Sequence, residues 1–158
     1  MILGGGQERG LRGSTHNVAG AVGLGKAIEL CEKNMPSEAI FQSSLRDRLT
    51  DGILKNIPGA RSNGHSTNRL PNIASFSFEG VEGESLLTSL DMIGIAASMG
   101  SACTSGAMEP SHVLRAIGLS DELAYGSLRI SIGRWTKEED IDHLLAELPK
   151  IVKRLREA

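Results

Sequence analysis

The chain has 158 residues, 23% of them charged and 40% hydrophobic, with a formal net charge of −2 at pH 7. This length is enough to bury a core, and the absence of basic runs argues against nucleic acid or an anionic membrane as a partner. No window approaches the roughly 18 apolar residues of a membrane span, and the 2 cysteines, which differ in character, do not indicate a disulfide framework. We therefore expect a reducing, cytoplasmic compartment.

A glycine-rich stretch occupies residues 4–15. Its glycines permit positive φ angles and close backbone approach, and its two arginines, Ser14 and Thr15 offer donors suited to an anion. We interpret it as a shaped loop; a flexible leader is the alternative. It is not a P-loop, because no GxxxxGK[ST] pattern follows.

Apolar spacing predicts two helices next, over residues 15–34 and 37–56, with Pro36 between them. Cys31 falls on the apolar face of the first helix, so we expect its thiol to be part of the core. Residues 61–69 are rich in turn-forming residues and predict an exposed loop.

Strict alternation predicts two strands. Residues 73–78 place alanine and phenylalanines on one face and serines on the other, and residues 128–132 place Arg129 on the polar face. If that face lines a cleft, a guanidinium on a strand suits two-point binding of a carboxylate; otherwise it is solvated. A short helix is predicted from Glu82 to Leu90.

A capping-box spacing that begins at Thr136 predicts a final helix to about Glu157, which Pro149 should kink or divide. Ahead of the second strand, residues 110–118 predict a helix of one or two turns.

Cys103 lies in residues 99–106, among glycines, hydroxyl-bearing residues and one alanine. Little in this stretch could bury the sulfur, so we predict a solvent-reachable, reactive thiol. The alternative is a cysteine that acts as a small buried hydrophobe.

Four stretches resemble the cysteine desulfurases in order and spacing: residues 4–17, 70–84, 100–106 and 128–136. These are pyridoxal-phosphate enzymes of the aspartate-aminotransferase fold type that supply sulfur for iron–sulfur clusters. The resemblance implies an α/β (α+β) fold, the C-terminal small domain of fold type I, in which a small sheet packs with helices. Residues 1–15 would be a glycine-rich loop from the edge of the large domain, and residues 16–158 the small domain carrying the cysteine loop.

The resemblance also implies roles for individual residues. Cys103 would be catalytic: its thiolate attacks the sulfur of substrate L-cysteine, leaving alanine and a persulfide on the protein. Arg129 would bind the substrate carboxylate, and Asn72 would line the same cleft. Thr15 would reach the cofactor phosphate of a partner subunit, which implies a homodimer. Iron–sulfur scaffold proteins would accept the sulfur, with a transient iron–sulfur contact at Cys103.

Two features depart from the family. Gly13 precedes Ser14, the reverse of the usual serine–glycine order. The cofactor lysine of the family lies in a Ser-x-His-Lys stretch upstream of the glycine loop, and this chain contains no His-Lys pair. We therefore expect a C-terminal part of the enzyme that is inactive by itself. Selenocysteine lyase, or a non-catalytic module that presents Cys103 to a partner, are the alternatives.

Overall fold

The computed structural model describes residues 2–99 and 110–157. Contacts divide the chain into two compact units, Met1–Ser37 and Glu38–Ala158. The predicted division after residue 15 concerns the large and small domains of an intact enzyme, and it stays a prediction.

Five α-helices and three β-strands are formed by the described residues. The helices are α1 (Val18–Asn56), α2 (Gly83–Asp91), α3 (His112–Ala116), α4 (Asp121–Tyr125) and α5 (Glu138–Arg156); the strands are β1 (Ala60–Ser62), β2 (Ile73–Phe78) and β3 (Ser127–Ser131). All three strands form one antiparallel sheet in the order β1-β2-β3.

The core of the second unit lies between one face of this sheet and the helices. Ala74, Phe76 and Phe78 project from β2 as predicted, and each is at most 3% exposed. They pack in one cluster with apolar side chains of three helices, namely Leu45, Leu49 and Ile53 of α1, Leu86 and Leu90 of α2, and Ile141, Leu144, Leu148 and Val152 of α5. The expected α/β fold, a small sheet packed with helices, is confirmed.

The two helices predicted on either side of Pro36 are one continuous helix, α1, so the predicted break is wrong. Proline has no N–H, which leaves the carbonyl of Glu32 without its helical bond. Glu32 is exposed, so water can take that bond. The next residue, Ser37, donates its hydroxyl to the Asn34 carbonyl at 3.0 Å, which satisfies a second carbonyl of the same turn.

The prediction that Cys31 is part of the core is also wrong: its side chain is exposed. The helix does carry the apolar stripe that the sequence predicts. That stripe is not covered, however, because Val18, Val22 and Ile28 are 65%, 67% and 59% exposed. A helical stripe becomes core only when another element covers it. None of residues 2–37 does so.

Other local predictions need correction. Strand β1 lies where a loop was predicted, and α4 was not predicted. Helix α5 contains Pro149 without being divided, and its cap is Lys137 rather than Thr136: the backbone N–H of Lys137 donates to Asp140 Oδ2 at 2.9 Å. The hydroxyl of Thr136 instead accepts from the Gly133 amide, at 3.0 Å.

Gly126 joins α4 to β3 where no side chain fits. A Cβ at this position would lie 2.5 Å from the Phe78 carbonyl oxygen and 2.7 Å from that of Val81. We predict that Gly126→Ala lowers the free energy of unfolding by about 1–3 kcal/mol, the usual cost of overpacking, in a chemical denaturation series. The control is Gly133→Ala, because a Cβ there meets nothing within 4 Å. Equal stability of the two variants would contradict this account of the junction.

Candidate functional site

The face of the sheet opposite the core is polar. It carries Ser75 and Ser77 of β2 and Arg129 of β3, as alternation predicted. Arg129 is exposed, whereas its neighbours Leu128 and Ile130 are buried. We call this surface the polar face. Arg129 is thus an exposed charged side chain on a regular strand.

The backbone of Arg129 is held from the side away from β2. Its N–H donates to the Ser98 carbonyl at 2.6 Å, and its carbonyl accepts from the Ser98 N–H at 3.1 Å. Arg129 is also the register partner of Ser75. Because both of its backbone groups point to Ser98, Arg129 and Ser75 form a non-hydrogen-bonded pair, in which side chains approach closely.

An amide side chain connects the serines of the polar face. Asn63 Nδ2 lies 3.2 Å from Ser75 Oγ and 3.0 Å from Ser77 Oγ, and the Asn63 backbone N–H donates to the Ser75 carbonyl at 2.8 Å. Ser77 is fully buried, so this network satisfies a polar group that would otherwise be costly to bury. The serine side chains of the polar face are therefore held in a hydrogen-bonded network beside Arg129.

Asn72 directly precedes β2, the strand that pairs with the strand of Arg129. Its carbonyl accepts from the Ile132 N–H at 2.8 Å, and the residue is half-buried. Ile132 follows Arg129 by three residues, so this contact lies roughly 10 Å along the strand from the arginine. The structure thus places one predicted site residue, Asn72, beside the end of the strand that carries another, Arg129.

Cys103 lies outside the described residues, but the structure describes both sides of its segment. On one side, Ser98 is bonded to Arg129. Cys103 follows Ser98 by five positions, so a fully extended chain would place the Cα atoms of these two residues at most about 18 Å apart. On the other side, buried Ser111 leads into α3.

An ion pair joins α3 to α4, the two helices that follow this segment in the chain. Arg115 of α3 donates from Nε and Nη2 to the two carboxylate oxygens of Asp121 in α4, at 2.6 and 2.8 Å. These hydrogen bonds hold the pKa of the Asp121 carboxyl below its usual range. Leu114, Leu119 and Ala124 form a small core beside it.

The glycine-rich stretch belongs to the first unit and is a closed loop, not a flexible leader. The Gly13 N–H donates to the Ile2 carbonyl at 2.8 Å, and a Cβ at Gly13 would lie 2.6 Å from the Gly4 Cα. Positive φ angles occur at Glu8, Arg9 and Gly10 rather than at the first three glycines. The loop therefore needs Gly13 for close approach.

Thr15 follows this loop directly and is exposed. Arg12 Nη1 donates to the carbonyls of Ser14 and Thr15 at 2.8 and 3.0 Å, so that nitrogen organises the backbone instead of facing an anion. Ser14 has φ +74°, a conformation that favours glycine, where the resembling family usually has glycine. Among the described residues no hydrogen bond engages the Thr15 hydroxyl, and Thr15 lies three residues before α1.

Several other features bear on function. All six lysines of the chain are exposed and belong to α1, to α5 or to the cap of α5. A groove of about 510 Å³ lies between the ends of α1 and α5, and no predicted site residue lines it. Within residues 2–99 and 110–157 there is neither a cluster of metal-ligating side chains nor a helix suited to crossing a bilayer.

The family model for aminotransferase class-V matches residues 5–144. A cysteine desulfurase IscS of Clostridium botulinum is 57% identical over 159 residues, a match that covers 99% of this chain and 40% of the relative. Cysteine desulfurase IscS 1 of Archaeoglobus fulgidus is 50% identical, with 99% and 41% covered. The chain therefore spans about two fifths of the length of the curated relatives it matches.

Solved structures agree with these relatives. A NifS-like protein superposes with a TM-score of 0.82 at 34% identity, covering 98% of this chain and 39% of that one. The cysteine desulfurase CsdA of Escherichia coli superposes with a TM-score of 0.67 at 26% identity, covering 94% and 34%.

The closed loop before Thr15 gives a direct test. Gly13→Ala should push Gly13 away from Gly4 and break the bond to the Ile2 carbonyl. We expect the amide of residue 13 to exchange with solvent about ten-fold faster or more, as the loss of one hydrogen bond predicts. Gly6→Ala is the control, since a Cβ there meets nothing within 4 Å. Unchanged exchange in Gly13→Ala would show that the loop is not closed by this contact.

Proposed function

This chain belongs to the aminotransferase class-V family, and on that basis we propose that it is part of a cysteine desulfurase, which converts L-cysteine to L-alanine and a protein-bound persulfide. One observation carries the proposal: the segment that leads to Cys103 is bonded at Ser98 to the backbone of Arg129. The proposed carboxylate-binding residue, Arg129, and the segment that leads to the proposed nucleophile, Cys103, are therefore joined at the same point of the sheet.

Arg129 is proposed to bind the α-carboxylate of the substrate. A guanidinium presents parallel N–H donors that match the two oxygens of a carboxylate. Its exposure and its mounting on β3 support this role, since a donor whose backbone is fixed loses less entropy when it binds. Asn72 is proposed to contact the same substrate from the start of β2.

The enzymes of this family depend on pyridoxal phosphate, which supplies an electron sink for bonds at the substrate's carbons. The residues of this chain fit the phosphate end of that group. Thr15 offers an exposed hydroxyl shortly before the N-terminus of the long helix α1, where helix N–H groups and the helix dipole favour a phosphate. Its proposed target is the phosphate bound by a partner subunit.

The lysine that holds the cofactor is proposed to come from outside this chain. Each of the six lysines here is exposed on a helix or its cap, and none belongs to the strands that form the polar face. We infer that the chain alone does not turn over cysteine.

Cys103 is proposed as the nucleophile. Its thiolate attacks the sulfur of substrate cysteine, forming an S–S bond as the carbon–sulfur bond breaks. The electron pair of the broken bond stays with the substrate carbon, which takes up a proton and leaves as alanine. The persulfide on Cys103 then passes its outer sulfur to an acceptor, for which an iron–sulfur scaffold protein is proposed, with a transient iron–sulfur contact at Cys103.

A cytoplasmic homodimer is the proposed form of the whole enzyme. The exposed stripe of Val18, Val22 and Ile28 follows directly after Thr15 along the chain. An apolar stripe of this kind supports burial in an assembled enzyme, next to the residue proposed to reach a partner's cofactor.

The first test replaces the nucleophile in the full-length enzyme. Cys103→Ser should reduce alanine formation from L-cysteine by at least about 100-fold while the cofactor absorbance is retained, because a serine hydroxyl cannot accept sulfur under these conditions. Cys31→Ser is the matched control and should keep full activity, since Cys31 is exposed and outside the proposed site. Wild-type turnover of L-selenocysteine with none of L-cysteine would favour a selenocysteine lyase instead.

The second test concerns the substrate carboxylate. Arg129→Ala should raise KM for L-cysteine by about 10- to 100-fold, since it removes a charge-assisted contact, with little change in cofactor affinity. Steady-state kinetics and a cofactor titration measure the two effects separately. Equal losses in both would place Arg129 outside substrate binding.

A further inference from the structure

Arg46, in the C-terminal half of α1, is a buried arginine that the proposed chemistry does not use. The residue is 8% exposed, although arginines are mostly exposed. Burying a guanidinium is costly unless its N–H groups are hydrogen-bonded. The contacts that satisfy Arg46 therefore show what it holds in place.

Its guanidinium donates in two directions. Nη1 donates to the Leu70 carbonyl at 2.9 Å, across 24 residues of sequence. Nε and Nη2 lie 2.9 and 2.8 Å from Asp47 Oδ1. The same carboxylate oxygen accepts from Arg69 Nη2 at 3.1 Å. Two adjacent residues, Arg69 and Leu70, are thus held against one turn of α1.

The segment so held leads straight to Asn72. Pro71, with its fixed φ, separates Leu70 from Asn72. On the other side, the Asn72 carbonyl accepts from the Ile132 N–H at 2.8 Å. Only two residues, at most about 7 Å of chain, separate the carbonyl bonded to Arg46 from the carbonyl bonded to Ile132, the residue directly after β3.

We propose that Arg46 is a positioning residue, which fixes the turn at residues 69–71 and thereby sets the placement of Asn72 for the substrate. The inference rests on the proposed function, because it takes Asn72 as a substrate contact. Arg46 itself lies on the helix side of this turn and does not touch the substrate.

The role requires arginine rather than any cation. Its planar fork donates to the Leu70 carbonyl and to Asp47 at once, from nitrogens with fixed relative positions. A lysine has one ammonium on a flexible stem. Arg46→Lys therefore keeps the charge and most of the apolar stem but loses the simultaneous hold on the turn.

The test is a double-mutant cycle in the full-length enzyme. Arg46→Lys should raise KM for L-cysteine by about ten-fold, as the loss of a charge-assisted hydrogen bond predicts, and leave kcat and the cofactor absorbance near the wild-type values. In an Asn72→Ala background the same substitution should have no further effect on KM, because the residue through which it acts is absent. Additive effects on KM would overturn the proposal.

Arg48→Lys is the matched control. Arg48 lies two residues further along α1 but pairs with Glu138 and Asp142 of α5, away from residues 69–72. It should leave KM unchanged. If Arg46→Lys does not fold, Asp47→Asn replaces it, since Asp47 is half-exposed and orients both Arg46 and Arg69.

A second readout separates this inference from the proposed function. Amide exchange at Ile132 reports on its bond to the Asn72 carbonyl, whatever reaction the enzyme performs. Faster exchange in Arg46→Lys but not in Arg48→Lys supports the positioning role even if L-cysteine is not turned over. Unchanged exchange at Ile132 in Arg46→Lys overturns it, whereas absent turnover in the wild type would count against the desulfurase assignment alone.

Discussion

The pair of backbone hydrogen bonds between Ser98 and Arg129 is the constraint on which the rest of the site depends. β3 has β2 on one side only, so its other edge would leave the backbone groups of Arg129 to solvent. The backbone of Ser98 bonds both groups: its carbonyl accepts from the Arg129 N–H, and its N–H donates to the Arg129 carbonyl. An edge strand is thereby fixed at the position of its charged residue, and the segment that leads to Cys103 starts from the same point.

The two faces of the sheet differ in their contacts and in their roles. The core face is covered by α1, α2 and α5 and supplies stability, while the polar face carries Arg129 beside a hydrogen-bonded serine network. The substrate-binding role proposed for Arg129 requires a rigid support, and a strand whose other face is a packed core provides it. The buried contact of Arg46 with the Leu70 carbonyl extends that support to the turn before Asn72.

The two units differ in how much of their apolar surface is covered. In the second unit, leucines and isoleucines of α1 such as Leu49 and Ile53 are almost fully buried, whereas in the first unit the same helix exposes Val22 and Ile28. One helix thus provides both a core face and a bare face. The bare face and the closed glycine loop lie next to each other along the chain, and the proposed homodimer would cover that bare face.

The sequence by itself determined the family, strand β2, the polar orientation of Arg129 and the apolar stripe of α5, because alternation, helical spacing and motif order are local properties of the chain. Only the tertiary structure decided whether a stripe is covered, so Cys31 was wrongly placed in the core. Local rules also failed at Pro36, where exposure lets water replace a lost helical bond, and at β1, whose three residues become a strand by pairing with β2. The hold of Arg46 on Leu70 joins residues 24 positions apart, and no local pattern encodes such a contact.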